Sequence, residues 1–123
     1  MGNKISEKSI VDASLRWLRK LPECKARKRR GGVSNKGHPD IYGSIFGIHF
    51  EIEVKAPGNK PTKLQKVRLD EWDNAGAITG VSYSLDETKS IIFNGLLKRT
   101  EVVKIKIIQF LSKESGQCLK YIS

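Results

Sequence analysis

Residues 37–55 read Gly37-His38-Pro39-Asp40-Ile41-Tyr42-Gly43-Ser44-Ile45-Phe46-Gly47-Ile48-His49-Phe50-Glu51-Ile52-Glu53-Val54-Lys55. Two extended segments meet at Phe46-Gly47. Residues 41–45 form a short strand, with Gly43, Ser44 and Gly47 supplying turn chemistry nearby. Residues 48–55 alternate, sending Ile48, Phe50, Ile52 and Val54 one way and His49, Glu51, Glu53 and Lys55 the other. Such a hairpin sets Asp40 across from Glu53, and paired Cβ atoms lie about 5 Å apart. Two carboxylates that close repel unless a cation lies between them. Mg²⁺ takes oxygen ligands of this kind and keeps several waters and phosphate oxygens beside them. It would act as a Lewis acid and lower the pKa of a bound water. Lys55, on the Glu53 face, can hold an attacking water or steady charge growing on a phosphate. The main-chain carbonyl of Val54, between the two, is a further candidate ligand.

The same alternation describes any half-solvated antiparallel hairpin. Glu-x-Glu-x-Lys would then be a wet face of cross-strand ion pairs. The spacing of Pro39-Asp40 favours a site, as do Glu7 in the preceding helix and Gln65 in the following one. Glu51 is expected as a solvated strand position and His49 as a surface one. His38 reads as an ordinary loop histidine. Trp17, Trp72 and Tyr42 read as structural.

Outward from the hairpin, Ser6 caps a first helix and Glu7 sits in its first turn, where its charge suits the helix dipole. Ile10, Ser14, Trp17, Leu18 and Leu21 follow at helical spacing, and Pro22 ends the helix. Residues 25–30, five of six basic, are too charged for a core strand and read as an edge strand or extended arm. Residues 31–37 form a loop rich in Gly, Ser and Asn. After a Pro/Gly loop over 56–61, Thr62 caps a second helix with Gln65 at the capping-box position, and Gly76 stops it. Residues 77–83 read as a buried strand. Ser84 to Glu87 open a third helix running to about Leu97, weakened by Gly95. Residues 101–111 fit a strand by their Val and Ile content and a helix by their spacing. The expected order is α, two or three strands, α, β, α and one more element, a mixed sheet flanked by helices.

The 123 residues are expected to form one domain over 1–123. Apolar content of 38% and charged content of 29% are those of a soluble globular protein. The net charge of +10 predicts a polyanionic partner, nucleic acid before an anionic membrane, with plain solubility as the bland alternative. Lys25, Arg27, Lys28, Arg29, Arg30 and Lys36 are the candidates for phosphate contacts, which position DNA without reading its sequence. Alternatively the basic edge only deters strand addition. Cys24 and Cys118 lie far apart and form no C-x-x-C pair, which argues against zinc. No secretory or membrane-spanning run is visible, so an intracellular, reducing setting is expected. Residues 1–6 fit the N-myristoylation pattern, but Ser6 has a better use as a helix cap.

Pro39-Asp40 followed by Glu53-Val54-Lys55 resembles the signature of the PD-(D/E)xK nucleases. The wider string is Gly37-x-Pro39-Asp40, Gly47, Glu53-Val54-Lys55, Pro57-Gly58, Thr62-x-x-Gln65 and Ala75-Gly76-Ala77. It is similar to the VRR-NUC branch, the virus-type replication-repair nucleases, over about residues 7–87. The short length resembles the stand-alone, phage-type members. The resemblance implies an α/β restriction-endonuclease-like core in αβββαβ order, plus an extra C-terminal element. It implies Mg²⁺ or Mn²⁺ as cofactor, Asp40 and Glu53 as metal ligands, and Lys55 as the catalytic lysine. Glu7 matches the first-helix acid that helps hold metal, directly or through water. Gln65 matches the glutamine that lines the catalytic site. Stand-alone relatives are similar to Holliday-junction resolvases, which implies a homodimer, branched DNA as partner, and a phage or prophage origin. Two features depart from the pattern: the segment before Pro39-Asp40 is short and unusually basic, and the tail after Thr100 has no match. Both leave the substrate open. A nuclease for flaps or plain duplex and a non-catalytic basic DNA-binding protein remain alternatives.

Overall fold

The structure, a computed structural model, describes residues 5–99 together with 104, 105, 108 and 109. The elements follow in the order α1 (Glu7–Leu18), β1 (Cys24–Lys28), a short 3₁₀ turn (Val33–Asn35), β2 (Ile41–Ile45), β3 (Ile48–Val54), α2 (Lys63–Asn74), β4 (Ile78–Ser82) and α3 (Leu85–Leu97). This is the α/β order expected from the sequence. The Ser6 hydroxyl caps α1 by accepting the Ser9 N–H at 3.1 Å. α1 stops at Leu18, one turn before the expected end at Pro22. There the Lys20 and Leu21 N–H groups reach back only three residues, to the Trp17 and Leu18 carbonyls, and tighten the exit.

The four strands lie in the order β1-β2-β3-β4. β2 runs antiparallel to both β1 and β3, whereas β4 runs parallel to β3 across the α2 crossover. The basic segment is therefore an edge strand, with Ala26 as its buried member. Phe46 and Gly47 take positive φ values of 49° and 77°, the twist a two-residue hairpin turn requires. β3 is central, with residues 50–54 all buried. The alternative of a half-solvated hairpin does not hold over this stretch, whose polar face is covered as well as its apolar one.

On the apolar face, Ile41, Ile45, Ile48, Phe50, Ile52 and Val54 meet Ile10, Val11, Leu15 and Leu18 of α1 and Ile92 of α3. Three buried hydroxyls join these layers, with Thr88 Oγ1 at 2.9 Å from Ser14 Oγ and 2.7 Å from Ser82 Oγ. α2 packs over β3 and β4 on the other face and buries Leu69. Gly95 is buried inside α3, where a side chain would strike Ile78. Most of residues 101–111, and with them the extra C-terminal element, lie outside the described residues, although 104, 105, 108 and 109 are helical. Met1 to Lys4 and Cys118 also lie outside them. No helix among the described residues is long and apolar enough to cross a membrane.

Gly43 pairs with Ala26 of the neighbouring β1, and a Cβ there would lie 1.8 Å from the Lys25 carbonyl oxygen. Gly43→Ala is therefore expected to push β1 off the sheet and destabilise the protein by about 1–3 kcal/mol, the usual range for overpacking. Urea denaturation measures this, and an unchanged midpoint would contradict the strand order.

Candidate active site

The hairpin register pairs Ile41 with Ile52 and Tyr42 with Glu51. One step further along the same ladder, Asp40 comes opposite Glu53. The Asp40 carboxylate accepts the Val54 main-chain N–H at 2.8 Å, which fixes it against the end of β3. Glu51, Glu53 and Lys55 share the face turned away from α1, as strand alternation requires. Val54 turns its side chain into the core, so only its main chain is available at the site.

Glu53 is 2% exposed, and its Oε2 has no hydrogen-bond partner. Burial raises its pKa first, and the adjacent Asp40 carboxyl raises it further. The Lys55 ammonium opposes this and Glu7 adds to it, leaving Glu53 at about 9. Four of the expected residues therefore act on one another: Glu7, Asp40, Glu53 and Lys55. A buried carboxyl oxygen without a partner costs stability unless something compensates it. A hard cation would do so, since it takes carboxylate oxygen and brings waters and substrate oxygen for the rest of its shell. Among the described residues no three His, Cys, Asp or Glu side chains form a complete cage. Asp40 and Glu53 thus fit a two-carboxylate site of the Mg²⁺ kind rather than a closed structural one.

Gln65 is displayed as a helix cap. Its side-chain oxygen accepts the Thr62 N–H at 2.8 Å, while the Thr62 hydroxyl accepts the Gln65 N–H at 3.2 Å. Cys24 is an inert thiol, pushed up to about 11 by burial.

Two residues differ from the sequence reading. Glu51 is fully buried, not solvated. Its carboxylate takes a forked pair of bonds from Arg29 and a contact from His49 Nε2 at 2.6 Å. Arg29, expected as a phosphate contact, accordingly turns toward this buried acid, and its side chain is 14% exposed at the wall of the basic groove. Tyr42 lies flat against this guanidinium at 4.5 Å, and Trp72 stacks on His49 with ring centres 4.8 Å apart. Trp72 Nε1 also reaches His38 Nδ1 at 3.4 Å, so both histidines belong to one half-buried cluster. The signal for it was Trp72 in α2, an aromatic that needs a sheet face to cover. Nothing local told Glu51 from Glu53.

The other basic candidates, Lys25, Arg27, Lys28, Arg30 and Lys36, are exposed. Arg27, Lys28 and Arg30 line an open groove of about 600 Å³ together with Arg19, Asn35, Tyr42 and the half-buried Arg29. Arg19 was not anticipated. It arrives from the end of α1 and donates to the Ala26 carbonyl of β1 at 3.3 Å.

No protein-family profile and no curated protein matches the chain. A solved structure of a VRR_NUC domain protein does match in three dimensions. It is 18% identical, has a TM-score of 0.62, and the match covers 76% of this chain and 90% of that one. The two share a fold, which in this chain is an α/β core with a four-stranded mixed sheet flanked by helices, consistent with a restriction-endonuclease-like core.

The folded chain holds the Glu53 proton up to about pH 9, against 4.5 for an unburied glutamate. This group's stabilising contribution is therefore complete below 4.5 and is lost as pH rises through 9. In EDTA the wild type should lose more stability between pH 5 and pH 9 than Glu53→Gln does. Urea titrations at both pH values measure the difference, and parallel slopes would show that Glu53 is not a buried acid.

Proposed function

We propose that this chain is a divalent-cation-dependent DNA endonuclease that hydrolyses backbone phosphodiesters. The observation that carries the reading is the buried, unpartnered carboxyl oxygen of Glu53 beside Asp40. The fold shared with a VRR_NUC domain protein supports it. So does a net charge of +10 with five exposed cations on and after the edge strand.

Asp40 and Glu53 would hold Mg²⁺ or Mn²⁺, with Glu7 near enough to contribute through charge or through water, and the Val54 carbonyl as a further ligand. When bound, the ion supplies Lewis acidity toward a phosphate oxygen and an acidified water. Lys55 orients that water or steadies the charge of the five-coordinate phosphorus. The Val54 N–H keeps Asp40 aimed while the ion is absent. Gln65, in the first turn of α2, would line the site with its amide NH₂, which the capping bond leaves free. Lys25, Arg27, Lys28, Arg30 and Lys36 hold the flanking strand by its phosphates, in the groove and along the bare part of β1.

None of these contacts reads base edges, so selectivity would come from DNA shape. The substrate proposed first is branched DNA such as a four-way junction, cut by a homodimer in an intracellular, phage or prophage setting. Flaps and plain duplex are the competing substrates.

Asp40→Asn and Lys55→Ala should each lower cleavage by roughly 10²-fold or more while DNA binding stays largely intact. A labelled four-way junction, flap, single strand and duplex, each with Mg²⁺ or EDTA, form the assay panel. Symmetric nicks on the junction would select the resolvase reading. Cleavage that persists at the wild-type rate in either variant would overturn the roles given. Binding without cleavage on every substrate would instead mark a non-catalytic DNA-binding protein.

A further inference from the structure

Arg29 belongs by sequence to the basic run, yet its contacts set it apart. Its main-chain N–H donates to the Asp40 carbonyl at 2.7 Å. Its Nη1 donates to the Pro39 carbonyl at 2.8 Å. The same nitrogen and Nη2 donate to the two carboxylate oxygens of Glu51, at 2.5 and 3.0 Å. The peptide groups on both sides of the Asp40 Cα are thus gripped by one residue, and that residue is tied to the central strand. Glu51 is an unyielding anchor: it is fully buried, held again by His49, and lies two residues from Glu53. Tyr42 packs on the guanidinium plane and limits its tilt.

The geometry matters because Asp40 lies opposite the buried Glu53 carboxyl. Its carboxylate is tied to the main chain by the Val54 N–H at 2.8 Å. Without a brace the Pro39-Asp40 segment would relax away from β3 and widen the gap between the carboxyls. A guanidinium suits the task, since its planar fork meets two carboxylate oxygens and a carbonyl at once, whereas an ammonium is a point charge.

Resting on the proposal that Asp40 and Glu53 hold a cation, we infer that Arg29, anchored by Glu51, is a positioning residue that sets the spacing of the two carboxyls, and is not a phosphate contact. It touches no reacting atom. Its effect reaches the site through the Pro39-Asp40 main chain.

The test measures Mn²⁺ binding to metal-stripped protein by calorimetry, alongside the salt dependence of duplex binding in EDTA. Arg29→Lys should weaken Mn²⁺ about 10-fold or more, the range seen when a ligand's outer support is lost. Glu51→Gln should do the same, and the double variant should lose no more than either single one. The salt slope should stay at the wild-type value in Arg29→Lys. Arg27→Ala should show the opposite pattern, with Mn²⁺ affinity kept and the slope reduced by about 0.9. Ile92→Val, a core truncation on the far side of the sheet, controls for general destabilisation and should bind Mn²⁺ normally. If Arg29→Lys does not fold, Arg29→Met/Glu51→Leu removes both charges together, and the same Mn²⁺ loss is expected. Wild-type Mn²⁺ affinity in the Arg29 variants overturns the positioning role, and a reduced salt slope there restores the phosphate contact. A wild-type protein that takes up no Mn²⁺ defeats the underlying cation proposal instead.

Discussion

β3 is closed off from water on both faces, so every polar side chain on its buried stretch must find a partner inside the protein. Glu51 and Glu53 meet that demand in opposite ways. Glu51 receives a guanidinium fork and an imidazole, and ends as a satisfied structural ion pair. Glu53 receives a second carboxyl and keeps an oxygen with no donor. Two glutamates on one strand face, two residues apart, thus occupy contrasting environments. A buried ion pair is weak evidence for stability, because desolvation offsets much of its attraction. A buried carboxyl pressed against another is a liability to the free protein, and unrelieved strain of this sort collects where function requires it.

The rest of the architecture can be read as serving that contrast. The two-residue turn at Phe46-Gly47 fixes the register that sets Asp40 against Glu53. α1 presents Glu7 at its first turn, close enough for its charge to bear on Glu53. α2 closes the other side of β3, bringing Trp72 over His49. The parallel β4 holds the end of β3, where the Lys55 N–H donates to the Ser82 carbonyl at 3.0 Å. Each element was recognisable by its own local chemistry: caps at Ser6, Thr62 and Ser84, and an uninterrupted apolar alternation in β3.

The basic run shows where that legibility ends. Alternation says that residues 25, 27 and 29 share a face, but not that Glu51 and Tyr42 would hold the third half-buried and leave the first two in solvent. A sequence of like charges looks uniform. Its members diverge only when a neighbouring strand brings a buried acid to one of them. Gln65 is similar: the capping-box pattern and the site-lining pattern use the same residue, and the fold displays the cap.

The sequence by itself determined the order of helices and strands, the hairpin register and the meeting of Asp40, Glu53 and Lys55. These follow from periodicity, turn chemistry and caps, which act over a few residues. Only the tertiary structure decided which acid is paired, which arginine faces inward and how deeply Glu53 is buried. Those depend on what covers each sheet face, and burial with its desolvation cost is set by residues distant in the chain, which no local pattern encodes.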